Sequence, residues 1–251
     1  MSQLLTLLAP AGGAWNGDPE TLSPTEHYNE LTWTGTTPNE FWTDAKGLTR
    51  GWDLEAGSRT ASTQNGLKTM VNTTGYWFTD GTPTLPFSSL TTTTDMTAFF
   101  VSKWGGNDND TFQWTTGTGV GVFRQKASVA AGGWYIQIHD ESAEDLIQSP
   151  AFAISSGQWD VWAVRFDNTT GAGVLDTFHF QNAKVNTTNA SWTAMTFSGV
   201  AGGARLLVNN IATEPFNGTI AEIVVFDKLL TDEECQSINA FLTTKWGITA
   251  P

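Results

Sequence analysis

The sequence predicts an all-β protein, a sandwich of two antiparallel sheets with a single helix at its C-terminal end. Three observations carry this. Charged residues make up only 15% of the 251-residue chain, while Thr, Gly, Asn and Trp are abundant; Thr and Trp favour strands, Gly and Asn favour turns. About twelve short strand-like runs recur at roughly 8–15-residue spacing between turn signals, the rhythm of a sandwich. Helical signals gather in one place, near the end. A chain this long buries roughly 70–75% of its unfolded surface, enough for one full core. No composition break marks a second domain, and no internal repeat is visible.

The first segment stands apart. Leu4, Leu5, Leu7 and Leu8 precede a run of Ala, Pro and Gly, and the polar stretch beyond it is broken by Pro19, Pro24 and Pro38. No strand or helix period persists. Residues 1–40 are therefore expected to form an N-terminal arm. It would be either an edge strand with an irregular wrap over the sandwich, or an extension that docks on a neighbouring subunit. Residues 41–251 are expected to form the sandwich itself. Residues 41–87 carry Phe41, Trp42, Trp52, Tyr76, Trp77, Phe78 and Phe87 among glycines and threonines, with Asp53, Glu55 and Arg59 expected in loops. Residues 98–101 read as strand core, and 105–110 (GGNDND) as a loop. Residues 111–115 and 119–125 read as the next strands. Residues 134–139 alternate Trp134, Ile136 and Ile138 against Tyr135, Gln137 and His139, a half-buried strand. Residues 140–145 form an acidic turn, 182–190 a polar loop, and 204–209 a further strand.

The C-terminal stretch is the most legible. Asn217-Gly218 signals a turn. Residues 220–226 are apolar on both faces except Glu222, as in a central strand covered on both sides. Thr231 is an N-cap and Glu234 completes a capping box. Asp232 and Glu233 place negative charge where the helix dipole favours it. Leu230 and Cys235 occupy the two positions of a hydrophobic staple. Ile238, Phe241, Leu242 and Lys245/Trp246 fall at i, i+3, i+4 and i+7/i+8, one stripe facing a core. Lys245 and Gly247 end the helix.

Residues 216–248, FNGTIAEIVVFDKLLTDEECQSINAFLTTKWGI, resemble the closing strand and terminal helix of the concanavalin A-like lectin/glucanase superfamily in its laminin-G-like form, found in bacterial and phage surface and virion proteins. The shared marks are a G-x-I-A-E strand, an acidic-capped helix and a final K-W-G. Residues 85–104 (LPFSSLTTTTDMTAFFVSKW) resemble that family's entry to its first main strand. Residues 155–173 (SSGQWDVWAVRFDNTTGAG) resemble its G-x-W strand and hairpin, with 174–180 returning as the partner. The resemblance covers residues 85–251 and, more loosely, 41–84. It implies a concanavalin A-like jelly roll, a fold that hosts lectins, glycosidases, adhesion modules and virion proteins alike.

Composition narrows the function classes. Net charge is −13, from 25 acidic and 12 basic residues, so nucleic acid is not an expected partner. The one cysteine, Cys235, permits no intrachain disulfide and is expected to pack in the core rather than act as a nucleophile. No run approaches the roughly 18 apolar residues of a membrane span. The start lacks the basic region of a signal peptide. A surface-protein fold without an export signal leads to the expectation of a virion-surface location, with an extracellular or cell-surface location as the alternative.

Chemistry is sparse. Laminarinase-type members of the resembled family carry Glu-x-Asp-x-x-Glu on one strand, which brings carboxylates to one face. This chain has no such motif, and no catalytic residue is expected. His27, His139 and His179 show no metal-ligand spacing and are expected to be structural. Phosphate-loop and dinucleotide fingerprints are absent. Asp108 and Asp110 offer hard oxygen ligands and are the calcium candidates, the one cofactor weighed. The twelve tryptophans suggest aromatic platforms for sugar rings. Trp104, Trp114 and Trp134 flank the acidic loops, with Asn107, Asp108 and Asn109 close by, and these six form the candidate glycan patch. Trp159 and Trp162 are expected to pack between the sheets.

The expected function is a non-enzymatic virion surface protein, a phage capsid decoration or fibre-type protein, with host glycans as candidate ligands. Its expected partners are other virion subunits or a second copy, met through residues 1–40. The alternative is a carbohydrate-binding module or adhesin, and the third reading a glycoside hydrolase.

Overall fold

The computed structural model describes residues 16–34, 41–43, 45, 51–56, 59–72, 76–79, 95–105, 111–116, 120–128, 133–139, 146–148, 157–167, 173–179, 185–189, 204–206 and 216–249. A 3-10 turn (Pro19–Leu22) comes first. The strands follow as β1 (Glu26–Tyr28), β2 (Trp33–Thr34), β3 (Phe41–Thr43), β4 (Gly51–Ala56), β5 (Arg59–Gln64), β6 (Leu67–Asn72), β7 (Tyr76–Thr79), β8 (Met96–Trp104) and β9 (Thr111–Thr116). Then come β10 (Val120–Ser128), β11 (Gly133–His139), β12 (Leu146–Gln148), β13 (Trp159–Asp167), β14 (Gly173–His179), β15 (Val185–Asn189), β16 (Ala204–Leu206) and β17 (Gly218–Phe226), and the helix α1 (Asp232–Lys245) closes the chain. The first sheet runs β15-β14-β13-β8-β17-β6-β5, with β1 also paired to β17; the second runs β12-β11-β10-β9-β16-β7-β4-β3-β2. The fold is an antiparallel β-sandwich of jelly-roll type with one C-terminal helix.

β17 is the centre, and its residue types explain why. All nine of its residues are buried, as a β-branched, apolar run requires when both faces are covered. One edge pairs with β8 through a bulge between Ile220 and Glu222. The other edge is shared end to end by β6, opposite residues 218–220, and β1, opposite residues 223–225. The bulge matters, because an extra residue re-aims the side chains beyond it. On the helix side of the sheet, Phe99, Val101, Val161, Ala163, Phe178, Val224 and Phe226 pack with Leu230, Cys235, Ile238, Leu242 and Trp246. Alternation puts Phe100 and Trp162 on the opposite, sandwich-interior face, where their rings stack at 4.1 Å. Trp162 Nε1 donates to Ser102 Oγ at 3.1 Å.

The helix forms as its sequence dictates. Thr231 Oγ1 accepts from Glu234 N at 3.2 Å and Glu234 Oε2 accepts from Thr231 N at 2.7 Å, so both halves of the capping box are present. Leu230 and Cys235 are both buried in the cluster beneath the helix. Gly247 ends it at φ +58°, a left-handed value. Thr97 Oγ1 fixes the entry, donating to Lys228 O and accepting from Leu230 N.

Within the 1–40 segment, β1 joins the first sheet and β2 the second, and Thr25 N donates to Val225 O. Three expectations change. Asp53, Glu55 and Arg59 lie in strands β4 and β5, not loops. Residues 185–189, expected in a polar loop, form the edge strand β15; an edge tolerates polar residues on both faces, and threonine favours extended backbone. Trp159 packs on the helix-side cluster rather than between the sheets, because it shares the face of Val161 and Ala163.

Candidate functional site

The densest set of titratable groups among the described residues surrounds Glu222, which the bulge turns toward the end of α1. Glu222 is 1% exposed. Its Oε1 accepts from His27 Nε2 at 2.6 Å, and its Oε2 accepts from Lys245 Nζ at 2.9 Å and Trp246 Nε1 at 2.6 Å. His27 Nδ1 meets Glu20 on its other side. Lys245 Nζ also pairs with Glu30 at 3.0 Å. Burial by itself would lower the His27 pKa, but the hydrogen bonds and charges of Glu20 and Glu222 outweigh it and push it up to about 9. Burial opposes ionisation of Glu222, and His27 and Lys245 overcome it, holding the carboxyl below its ordinary range. Burial by itself would lower Lys245, and Glu222 and Glu30 outweigh it and raise its pKa. His27 is therefore an imidazolium, donating from both ring nitrogens.

This cluster resembles an acid–base site in composition but not in access. Glu222, the shared acceptor, is sealed, and each group is engaged by another protein group. What the arrangement does is join three elements: the N-terminal segment through Glu20, His27 and Glu30, the central strand through Glu222, and the helix end through Lys245 and Trp246. Arg165 joins three more groups in the same manner, pairing with Asp176 and Asp232 and donating to Leu230 O at 2.7 Å. Cys235 is fully buried, and burial pushes its thiol up to about 12, which removes the thiolate that a nucleophile needs. Among the described residues no group of three or more His, Cys, Asp or Glu is arranged to hold a metal ion. A cleft of about 440 Å³ beside α1 is lined by Asn16, Ala240, Phe241, Thr244 and Lys245; its one charged group is the Lys245 already paired inside the cluster.

Of the six residues of the expected glycan patch, Trp104 is the one whose side chain is described, and it is buried. Trp104 ends β8 in the first sheet, opposite Gly218, and is 6% exposed. Its indole Nε1 is buried without a hydrogen-bond partner. Alternation from Phe100 through Ser102 carries it onto the sandwich-interior face, so its ring is packed rather than displayed. Trp114 and Trp134 lie in the other sheet, on β9 and β11. Asn107, Asp108, Asn109 and Asp110 fall outside the described residues, as do the side chains of Trp114, Trp134, His139 and His179.

Register in the second sheet separates two faces. Leu54, Trp77, Leu206, Trp114, Phe123, Ile138 and Ile147 are successive partners across seven strands and form one row. Trp134, opposite Ala127, shares their face by alternation. The other face carries the row Phe41, Asp53, Phe78, Arg205, Thr115, Val122, His139, Leu146 and the row Gln113, Arg124, Gln137, Gln148. Lys126 lies on it beside Thr111 and Tyr135. Sequence reasoning missed this set. The alternation Phe123-Arg124-Gln125-Lys126 was readable, but which strands lie side by side was not.

No protein-family model matches the chain, and no curated protein matches it. Solved structures do. Domain 4 of AbnA, a GH43 extracellular arabinanase from Geobacillus stearothermophilus, solved in complex with arabinotriose, superposes with a TM-score of 0.62 at 16% identity, covering 86% of this chain and 98% of that one. The Ruminococcus gnavus IT-sialidase CBM40, bound to α2,3-sialyllactose, gives 0.51 at 15% identity, with 73% and 97% covered. The botulinum neurotoxin type G receptor-binding domain gives 0.56 at 10% identity, and there the chain spans 51% of the neighbour's length. These likenesses show the jelly-roll β-sandwich fold.

Proposed function

We propose that the chain is a non-catalytic, lectin-like carbohydrate-binding module that takes glycan on the face of its second sheet that carries Arg124 and Arg205. The observation that carries this is the division of that sheet. A sandwich interior needs an apolar face from each sheet, and the row from Leu54 to Ile147 meets that need. The opposite face, where Arg205, Arg124, Lys126 and three glutamines share rows with Phe41, Phe78, Val122 and Leu146, is then the outer one. Convergent hydrogen-bonding groups beside an aromatic ring are what sugar hydroxyls and ring faces require. The fold shared with domains solved bound to arabinotriose and to sialyllactose supports the same reading. The absence of a Glu-x-Asp-x-x-Glu strand supports a non-catalytic role, as do the neutralising partners of Glu222. Asp108 and Asp110 remain the proposed calcium ligands. No feature of the fold favours the virion-surface reading, with residues 1–40 as a subunit contact, over carbohydrate binding.

The test is a polysaccharide and glycan array probed with calcium and then with chelator, alongside assay of reducing ends released from each bound polysaccharide. Binding without release is expected, and its loss on chelation would implicate the Asp108/Asp110 loop. Binding to no glycan overturns the proposal. Steady release of reducing ends overturns its non-catalytic part.

A further inference from the structure

Resting on that reading, we infer that the glycan taken by this face is acidic, a saccharide bearing uronic or sialic carboxylates. The chain is strongly acidic, with 25 acidic against 12 basic residues. A face serving only solubility would draw on the majority charge. This face does the reverse. Arg205 on β16 and Arg124 and Lys126 on β10 all share it, placed there by the pairing of β9 with both strands. Asp53, the nearest carboxylate in the paired rows of this face, lies on β4, with β7 between it and Arg205.

Strand spacing sets the scale. Arg124 and Lys126 are one alternation step apart, about 7 Å, and Arg205 stands two strands over and one step along, about 12 Å from Arg124. Gln113, Thr115 and Gln137 lie among these cations. Guanidinium groups bind carboxylates as a two-pronged fork, and amides and hydroxyls between them suit the neutral hydroxyls of the same saccharide. A polyanion such as DNA offers phosphate charge too, but the field of a chain carrying net charge −13 opposes a long nucleic acid more than a short acidic glycan.

Affinity electrophoresis of the full chain tests this in gels containing polygalacturonate, colominic acid, neutral arabinan or double-stranded DNA. The variant pair is the double substitution R124Q/R205Q and, as a change on the first sheet, K68Q. Retardation by polygalacturonate or colominic acid, weakened at least tenfold in R124Q/R205Q but not in K68Q, is expected. It should fall with added salt. Far-UV circular dichroism and thermal midpoints of both variants establish that they are folded. Should R124Q/R205Q fail to fold, the single variants R124K and R205K replace it. Retardation by arabinan alone, or acidic binding indifferent to the face variants, overturns the inference while leaving carbohydrate binding standing. Retardation by no polysaccharide overturns both. Retardation by DNA equal to that by the acidic polysaccharides overturns the choice of a saccharide.

Discussion

Glu222 is the residue on which the N-terminal segment, the central strand and the helix end converge, and its partners make stability depend on pH in both directions. His27 is raised to about 9, so its contribution is complete below its ordinary value near 6.5 and is lost as pH rises through 9. Glu222 is lowered, so its contribution is present above its ordinary range and is lost in acid. Thermal midpoints should therefore be highest near pH 5–6.5 and decline toward pH 9, and H27Q should flatten the alkaline decline. An alkaline limb of equal slope in H27Q would contradict the assignment. E222Q leaves His27 and Lys245 buried beside a neutral amide, and chemical denaturation should register a loss of about 3–5 kcal/mol. Cys235 should resist a thiol reagent in the native protein and react only on unfolding; rapid native labelling would contradict its burial. The burial of Cys235 was legible from its staple position. The role of His27 was not, because its acceptor lies 195 residues away in the chain and no local spacing announces it.

Among the elements, the helix was legible from end to end, since its cap, staple, stripe and terminal glycine are local chemistry. T231A removes the side chain that accepts from Glu234 N and should cost about 1 kcal/mol in denaturant unfolding. An unchanged midpoint would mean that the capping box adds nothing to a helix already held by packing. Close approach fixes Gly218 at the head of β17: a Cβ there would stand 2.3 Å from Lys103 O, so G218A must push β17 and β8 apart. Edge strands were less legible. The polarity of β15 hid it, because an edge lacks the apolar alternation by which strands are recognised. Trp104 misled for a related reason: proximity in sequence to a polar loop says nothing about which face of β8 it occupies, whereas counting from the buried Phe100 does.

For the whole molecule, the fold class was readable because composition, strand rhythm and one capped helix agreed. The candidate site was not, since it is built from β9, β10, β11 and β16, and their adjacency exists only in the folded sheet. Pairing assigned Trp114 and Trp134 to the apolar face and gathered Arg124, Lys126 and Arg205 on the other. The central claim, that glycan binds on that second face, is tested most directly by titration calorimetry of the best array ligand against Q113A and T115A, with S62A on the first sheet for comparison. Affinity at least tenfold weaker in Q113A or T115A, with unchanged thermal midpoints and no change in S62A, is the predicted result. Equal affinity in all three variants would contradict it.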